Sequence, residues 1–319
     1  MLEYRRDVRT LIRERTSVRT YRPVALPPDR REALEEACDR LTRGPLGTPC
    51  RFRLLDRTAS ELAGGRPQRE GAHWVAASRG ERLGTYGVIR GAAAYLAGAA
   101  RRGPSALLDF GYLFELLVLK AAELGLGTCW LGGTFRRSDF DRALQLQDGE
   151  ILPAVSPVGV PAARRSLVDR LFRLGAGSKA RRPWGELFFG SSGRPLEADA
   201  APPAYREALE MVRLGPSASN RQPWRVVHTE EAVHFLLHRT PGYRLARGLD
   251  LQQLDIGIAM AHFELGLRSA DPQALRRGRW QVLQPGSTAE ASIGSAAPMA
   301  FPPTAPEFRH LEYLVSWRG

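Results

Sequence analysis

Lysine and cysteine are both scarce in this chain of 319 residues. Lys120 and Lys179 are the two lysines, so arginine supplies nearly all of the positive charge behind the net charge of +12. The three cysteines, Cys38, Cys50 and Cys129, are odd in number and have no metal-type spacing. This usage predicts reduced thiols in a cytoplasmic protein, with no metal site.

Long uncharged hydrophobic runs are missing as well. The most apolar long stretch, residues 107–126, contains Asp109, Glu115, Lys120 and Glu123. Such a stretch predicts a buried core helix, and no membrane association is expected. The charged residues near the start of the sequence predict that no secretory leader is present.

The basic charge raises the question of nucleic-acid binding. The arginines are mostly dispersed pairs, and only residues 276–279 form a dense group. No sequence motif of a nucleic-acid-binding fold accompanies them, and the excess of arginine over lysine is typical of a compositional bias. We therefore expect no nucleic-acid partner, although a basic protein that binds DNA on a relic fold stays open as a minor alternative.

Residues 216–224, PSASNRQPW, are typical of a tight polar loop that leads into a buried strand. Pro216 stiffens its entry, and the small residues around Ser217 and Ser219 leave room for a ligand near the backbone. Asn220 and Gln222 each carry a donor and an acceptor on a planar amide, which suits a hydrogen-bonding heterocycle. The alternative is an ordinary surface turn before a strand.

Residues 15–22 alternate without helical periodicity. In an extended conformation Arg15, Ser17 and Arg19 fall on one face, because strand side chains repeat every two residues. Two guanidinium groups and a hydroxyl on one face predict a phosphate clamp. A solvated basic turn is the alternative.

Hydrophobic periodicity and turn residues predict alternating helices and strands. The expected helices cover residues 4–14, 29–42, 109–124, 164–174 and 205–214, with a further apolar helix that opens at residue 255. The expected strands cover residues 86–100 after an initial turn, 151–161, 225–228 and 233–238. The helix over 109–124 is followed by the segment GLGTCWLGG at 125–133, where a glycine is a natural helix C-cap.

These three segments together resemble the nitroreductase family of FMN enzymes, in its tandem single-chain branch. The R-x-S-x-R element, the glycine-rich segment after a long central helix and the P-S-x-N-x-Q-P-W loop all have family counterparts. The resemblance implies an α+β fold with antiparallel-dominated sheets flanked by helices. It also implies FMN as cofactor and NAD(P)H as co-substrate.

The resemblance further implies roles for individual residues. The phosphate of FMN would be held by Arg15, Ser17, Arg19, Lys179 and Arg181. The flavin ring or ribityl chain would be contacted by Pro216, Ser217, Ser219, Asn220 and Gln222. A backbone amide of Gly132 or Gly133 would face flavin N5, and Arg90 would face the pyrimidine edge. No side chain is expected to act as a catalytic acid.

The pattern occurs twice along the chain. Asp255-Ile256-Gly257 repeats Asp109-Phe110-Gly111, and each triplet opens an apolar helix. We therefore predict two nitroreductase-like halves, residues 1–182 and 183–319, with the Gly-, Ser- and Pro-rich residues 190–203 as the clearest linker. In the family two subunits share each site, so the two halves would form an intramolecular pseudo-dimer that is monomeric as a chain.

The two halves have lost complementary parts. Residues 44–52 occupy the place of the P-S-x-N-x-Q-P-W loop in the first half, but the Ser, Asn and Gln are absent. The second half keeps this loop and has no R-x-S-x-R element. The sequence thus predicts one composite FMN site at the interface of the halves.

The function expected from this resemblance is ping-pong hydride transfer. NAD(P)H would reduce the flavin and leave, and a nitroaromatic or quinone-type acceptor would then be reduced. A flavin-storage or flavin-sensing protein without reductase turnover is the alternative within the same fold.

Overall fold

The computed structural model describes residues 2–56, 83–163, 180–241, 249–283 and 308–319. Its α-helices are α1 (Val8–Glu14), α2 (Pro28–Arg40), α3 (Ala106–Glu123), α4 (Arg137–Ala143), α5 (Pro203–Leu214), α6 (Leu251–Ala270) and α7 (Pro272–Arg277). Its strands are β1 (Cys50–Asp56), β2 (Ala94–Arg101), β3 (Gly127–Thr128), β4 (Glu150–Ile151), β5 (Val155–Gly159), β6 (Phe188–Gly190), β7 (Trp224–His228), β8 (Val233–Leu237), β9 (Arg279–Gln281) and β10 (Glu312–Arg318). Within these ranges no helix combines the length and apolar character needed to cross a membrane.

The first sheet is antiparallel and belongs to the N-terminal part of the chain. Strand β2 lies between β1 and β5, with β3 beyond β5 and the short β4 also paired with β2. Strand β2 carries small residues, and Gly98 packs directly against the Phe52 ring of β1, where a Cβ atom would overlap it. These small side chains explain why helix α3 can lie close to the sheet.

The second sheet is built from the C-terminal part of the chain in the order β6-β7-β8-β10-β9. All of its described pairs are antiparallel except β6 with β7, which is parallel. Strand β8 is buried along its whole length, as expected for an inner strand between two neighbours. The predicted α+β class with antiparallel-dominated sheets is therefore confirmed.

Helices α3 and α6 cross at the centre of the molecule and join the two halves. At the crossing, an ideal Cβ atom built onto Gly257 would lie 2.9 Å from the Cα atom of Gly111. The same ideal Cβ would overlap the carbonyl oxygen of Leu108, and a Cβ at Gly111 would overlap that of Leu254. The two glycines of the repeated Asp-x-Gly triplets thus allow the backbones to touch, and the hydrophobic core continues from one half into the other.

Several predicted elements differ at their boundaries. Helix α1 begins at Val8 rather than residue 4, because the Asp7 carboxylate accepts a hydrogen bond from Thr10 N and caps it there. The predicted strand over 151–161 is interrupted between β4 and β5, where Pro153 has no N–H to donate. The predicted helix over 164–174 lies outside the described residues.

The predicted linker at 190–203 is not an open tether at its start. Gly190 ends strand β6, and the following turn brings residue 196 back, so that Leu196 N donates to Phe188 O at 3.0 Å. Phe189 and Pro195 form a bridge across this turn. Composition predicted a linker here, and it could not show this turn or the parallel pairing of β6 with β7, which depends on residues far along the chain.

His234 makes the second sheet sensitive to acid. Burial, together with the positive charge of Arg318, lowers the pKa of His234 to about 4, and its Nδ1 lies 2.7 Å from Ser316 Oγ. Because the unfolded state has an ordinary histidine pKa near 6.5, it binds the proton first as the pH falls. This group contributes stability above pH 6.5 that is lost progressively towards pH 4.

We expect the His234→Gln variant to lose less stability than the wild type between pH 7 and pH 4. The difference should reach about 3 kcal/mol, the equivalent of the pKa shift. Urea unfolding at a series of pH values measures it. Parallel pH profiles for the two proteins would contradict the assignment, and exposed His310 is the matched control, since its replacement by Gln should leave the profile unchanged.

Candidate functional site

A cavity of about 390 Å³ lies between the two halves. Its lining comes from helix α1 and the following segment, from the glycine-rich segment, from the 216–220 loop and from helix α6. The lining residues are Ile12, Arg13, Arg15, Thr16, Ser17, Arg19, Cys129, Trp130, Gly132, Ala154, Arg181, Leu214, Pro216, Ser217, Ala218, Ser219, Asn220, Leu251, Leu254, Asp255 and Ile258. This volume is within the range of small-molecule and cofactor sites.

The residues of the predicted clamp form the first-half wall. The chain leaves α1 at Arg15 in an extended conformation, and Val18 N donates to Thr128 O at 2.8 Å beside the glycine-rich segment. Arg15, Ser17 and Arg19 consequently all line the cavity, as the period of two implies. The Nε atom of Arg15 is buried and finds no hydrogen-bond partner among the described residues.

The 216–224 loop forms the opposite wall, and its backbone is strained. Ser219, Asn220 and Gln222 have φ angles of 47°, 55° and 50°, which non-glycine residues adopt infrequently. The loop holds itself in this shape, since Ser217 Oγ accepts from Gln222 N at 2.8 Å and Ser217 O accepts from Asn220 N at 2.9 Å. Clustered left-handed residues on a cavity wall are typical of a functional site.

Arg181 connects the segment between the halves to this loop. Its Nη1 donates to Asn220 Oδ1 at 3.1 Å and its Nη2 donates to Leu214 O at 3.1 Å, while Asn220 Nδ2 donates to Ala180 O at 2.9 Å. Burial, with repulsion from Arg15 and Arg213, lowers the pKa of Arg181 from its ordinary value. Arg15 and Arg181 therefore bring two positive charges together in one partly buried place, which favours an anion there.

Asp255 holds the base of the loop. Its Oδ1 accepts a hydrogen bond from Ala218 N at 2.9 Å, and its side chain is buried at the cavity wall. Burial raises the pKa of Asp255 well above the usual carboxyl range; the Ala218 hydrogen bond opposes this shift and Asp250 adds to it. Burial thus disfavours the charged form of Asp255, while its hydrogen bond fixes the position of the Ala218 backbone.

Asp109 has the same task in the first half. Its two oxygens accept from Leu46 N and Thr48 N, both at 2.8 Å, in the loop that lacks Ser, Asn and Gln. The repeated Asp at the start of each central helix therefore fixes the loop of its own half. The repeat was visible in the sequence, but the contact with a loop was not.

Three of the described site residues do not line the cavity. Gln222 is buried behind the loop, where its Oε1 accepts from Arg182 N at 2.9 Å, so it supports the loop's shape. Arg90 and Gly133 are exposed and lie outside the lining, although the backbone of Arg90 pairs with the clamp segment at Thr20. Lys179 lies outside the described residues. The positions of Gln222, Arg90 and Gly133 give no support to the predicted cofactor contacts.

Other lining residues were not predicted to belong to a site. Arg13 stands at the exposed part of the cavity and forms an ion pair of 3.2 Å with Glu207 of the second half. Trp130 belongs to the glycine-rich segment at residues 125–133, and helix α6 adds Leu251, Leu254 and Ile258 to the cavity lining. Gly132 packs so tightly against Leu251 that a Cβ atom would overlap its side chain. Helical periodicity shows that such residues are inward-facing, but the sequence does not distinguish core from cavity.

Metal chemistry has no candidate centre in the ranges described above: no group of three or more His, Cys, Asp and Glu side chains there could hold an ion. The cavity instead offers guanidinium groups, amides and hydroxyls on its polar side and aliphatic and aromatic side chains on the other. This composition suits an anionic ligand that carries a planar apolar part.

Comparison with solved structures supports the fold. A crystal structure of a "putative nitroreductase" from Thermotoga maritima superposes with a TM-score of 0.54 at 18% identity, over 89% of this chain and 92% of that one. An "FMN-dependent Nitroreductase" from Clostridium difficile has 14% identity and a TM-score of 0.35, over 49% of this chain and 88% of that one. A nitroreductase family protein from Clostridium novyi has 21% identity and a TM-score of 0.36, over 53% and 91%.

The first of these structures shows a shared fold, whereas the other two scores are too low to add to it. No curated protein matches the chain. The family model described as "Putative TM nitroreductase" matches residues 71–267, which is more than half of the chain. The predicted family resemblance is thus confirmed, and the chain belongs to this nitroreductase family.

Proposed function

We propose that the protein is an FMN-dependent oxidoreductase that passes electrons from NAD(P)H to a nitroaromatic or quinone-type acceptor. The observation that carries this proposal is the cavity between the halves, where the arginine clamp of one half faces the strained amide loop of the other. Membership of the nitroreductase family supports it.

The residues present fit FMN. Arg15 and Arg181 converge where an anion is favoured, and the buried Arg15 Nε has no partner among the described residues, so it could donate to a phosphate. Arg19 and Ser17 lie on the same wall. We propose that these four residues hold the phosphate, which carries close to two negative charges at neutral pH. Lys179, outside the described residues, stays a predicted fifth.

The apolar side of the cavity would take the ring system. Asn220 and Ser219 would contact it from the second half, together with Pro216 and Ser217, and Gly132 would offer its backbone from the first half. Helix α6 contributes Leu251, Leu254 and Ile258, which would exclude water from one face. The strained loop costs free energy that a bound ligand can offset, so we regard it as preformed for binding.

When bound, FMN supplies the hydride chemistry, and the protein's contribution is to bind, orient and shield. The opening beside Arg13 would admit the reductant and then the acceptor, one after the other. Asp255 keeps the loop in place through its hydrogen bond to Ala218 N. A single composite site needs no second chain, so we propose that the two halves, residues 1–182 and 183–319, act as a monomeric pseudo-dimer in the cytoplasm.

The test is to purify the protein, record its visible spectrum and count the FMN bound per chain after reconstitution. We expect close to one FMN per chain, bleaching of its absorbance by NADH or NADPH under anaerobic conditions, and recovery when a nitroarene or a quinone is added. The same titration is made with an Asn220→Leu variant. This variant should bind FMN more weakly, because it loses the amide that also pairs with Arg181.

Three results would oppose the proposal in different ways. Two FMN per chain would mean that the loop at residues 44–52 still supports a second site. Bound FMN that neither NADH nor NADPH bleaches would favour a storage or sensing protein. No bound FMN, with DNA binding that weakens steeply as salt increases, would favour the nucleic-acid alternative.

A further inference from the structure

A chain of buried polar groups crosses the interface between the halves and ends at the cavity. His262 of α6 places Nδ1 2.9 Å from Met211 O and Nε2 2.9 Å from Glu115 Oε1 of α3. The other carboxylate oxygen, Glu115 Oε2, accepts from Trp130 Nε1 at 2.7 Å. Glu115 and His262 are fully buried, and Trp130 lines the cavity.

The hydrogen atoms of this chain follow from its acceptors. A carbonyl oxygen only accepts, so His262 Nδ1 must carry a hydrogen and donate it to Met211 O. The contact between His262 Nε2 and Glu115 Oε1 then needs one more hydrogen, located on either atom. In either arrangement one hydrogen lies between His262 Nε2 and Glu115 Oε1. Glu115 Oε2 therefore stays available as the acceptor for Trp130 Nε1.

Among the described residues, Glu115 is the one polar partner of the Trp130 side chain. Its ring packs edge-on against Phe114 of α3, with the centroids 4.7 Å apart, and it is only partly buried. A partly buried ring can rotate about its side-chain torsions, whereas a strong hydrogen bond to a buried carboxyl oxygen selects one rotamer. The direction of the indole N–H thus decides which face of the ring meets the cavity.

The arrangement exists on one side of the pseudo-dimer only. Glu115 follows Asp109 by the same interval that separates Ala261 from Asp255 in the second half, and alanine has no polar side chain. The cavity with the complete clamp and loop is on the side that retains the carboxylate. This asymmetry distinguishes the pair from a general feature of the crossing of α3 and α6.

We propose that Glu115 is a positioning residue that fixes the Trp130 ring as a wall of the cofactor cavity, and that His262 holds Glu115 in place from the other half. Packing of the two halves is thereby coupled to the shape of the site. The effect on flavin binding rests on the proposed function, whereas the effect on Trp130 does not.

The first test uses the ligand-free protein. In a ¹⁵N spectrum the Trp130 indole signal, assigned by its loss in Trp130→Phe, should be shifted by its carboxylate partner and should exchange slowly with solvent. Glu115→Leu should move this signal and speed its exchange by at least about tenfold, since the hydrogen bond that protects the indole N–H is removed. Rapid exchange of the Trp130 indole in the wild type would overturn the proposal even if Glu115→Leu does not fold.

Glu115→Gln is the conservative rescue. The glutamine oxygen can accept from Trp130 Nε1, and its NH₂ group can donate to neutral His262 Nε2 while Nδ1 still donates to Met211 O. We expect its Trp130 signal to stay close to the wild-type position. A Gln variant that behaves like the Leu variant would overturn the proposal, because charge rather than orientation would then matter.

Glu264→Leu is the matched control. Glu264 Oε2 also accepts from an indole, Trp280 Nε1, at 2.7 Å, on the same helix as His262, but Trp280 does not line the cavity. With FMN added, Glu115→Leu should weaken binding about tenfold, as expected when one anchored contact is lost, and Glu264→Leu by less than about twofold. Equal weakening in both would reduce Glu115 to a general stabilising role and overturn the proposal.

The Trp130 signal and the FMN affinity together separate this inference from the proposed function. If the Trp130 signal responds as expected but no variant binds FMN, the positioning holds and the flavin proposal fails. If FMN binds with the same affinity in Glu115→Leu and Glu115→Gln while the Trp130 signal differs between them, the ring is not a wall of the flavin site, and the inference fails although the function stands.

Discussion

Gly257→Ala is expected to lower the free energy of unfolding by roughly 3 kcal/mol, the upper part of the range for overpacked interiors. An added Cβ would overlap the Leu108 carbonyl oxygen and lie 2.9 Å from both Gly111 Cα and Tyr112 N. These neighbours are backbone atoms, which cannot move aside as a flexible side chain can. The higher helix propensity of alanine offsets only about 1 kcal/mol of the cost.

Urea unfolding followed by tryptophan fluorescence measures this loss. Gly103→Ala is the control, because a Cβ there meets no atom within 4 Å, and its unfolding free energy should change little. Since the cavity lies between helices joined at this crossing, Gly257→Ala should also weaken FMN binding under native conditions. A Gly257→Ala protein as stable as the wild type would show that α3 and α6 do not approach each other as closely as described.

The cavity was predictable from sequence to the extent that its parts are local. The clamp follows from a period of two over Arg15, Ser17 and Arg19, and the loop follows from the turn residues between Pro216 and Trp224. Each of these patterns is contained within a few neighbouring residues. Family resemblance then indicated that two distant segments face each other, a relation that no local pattern contains.

The residues that were missed depend on the crossing of the two central helices. Glu115 and His262 each look like polar interruptions of an apolar helix, and Asp255 looks like the first residue of one. The contact between Glu115 and His262 depends on how α3 and α6 meet, and Gly111 and Gly257 let the two helices approach closely there. The partner of Asp255, Ala218 N, lies in a loop distant in sequence. The sequence pattern showed that the two glycines repeat, but it could not show that they contact each other.

The shared task of Asp109 and Asp255 gives the doubling of the chain a physical meaning. Both carboxylates hold a loop by its backbone amides, although the first-half loop contains no Ser, Asn or Gln. The backbone support of a loop is separate from the side chains that the loop presents to the cavity. The two can therefore be lost separately, which explains how a half can keep the architecture of a site without the site.

Arg181→Ala is expected to weaken FMN binding by about a hundredfold, the equivalent of losing a charge-assisted, bidentate contact with a phosphate. The side chain lines the cavity, is near Arg15 and bonds both Asn220 Oδ1 and Leu214 O. Its removal takes away one positive charge and also releases Asn220. Titration of the apoprotein with FMN, followed by quenching of flavin fluorescence, measures the change.

Arg181→Lys and Arg182→Ala separate charge from geometry. The lysine keeps the charge but not the planar fork, so we expect an intermediate loss of about tenfold. Arg182 is the neighbouring arginine, outside the cavity lining; its side chain pairs with Glu186, and its backbone N–H to Gln222 survives the substitution. Arg182→Ala should therefore bind FMN within about twofold of the wild type, as surface ion pairs contribute little. If Arg181→Ala bound FMN as tightly as Arg182→Ala, the phosphate would not lie between the two halves, and the composite site would have to be abandoned.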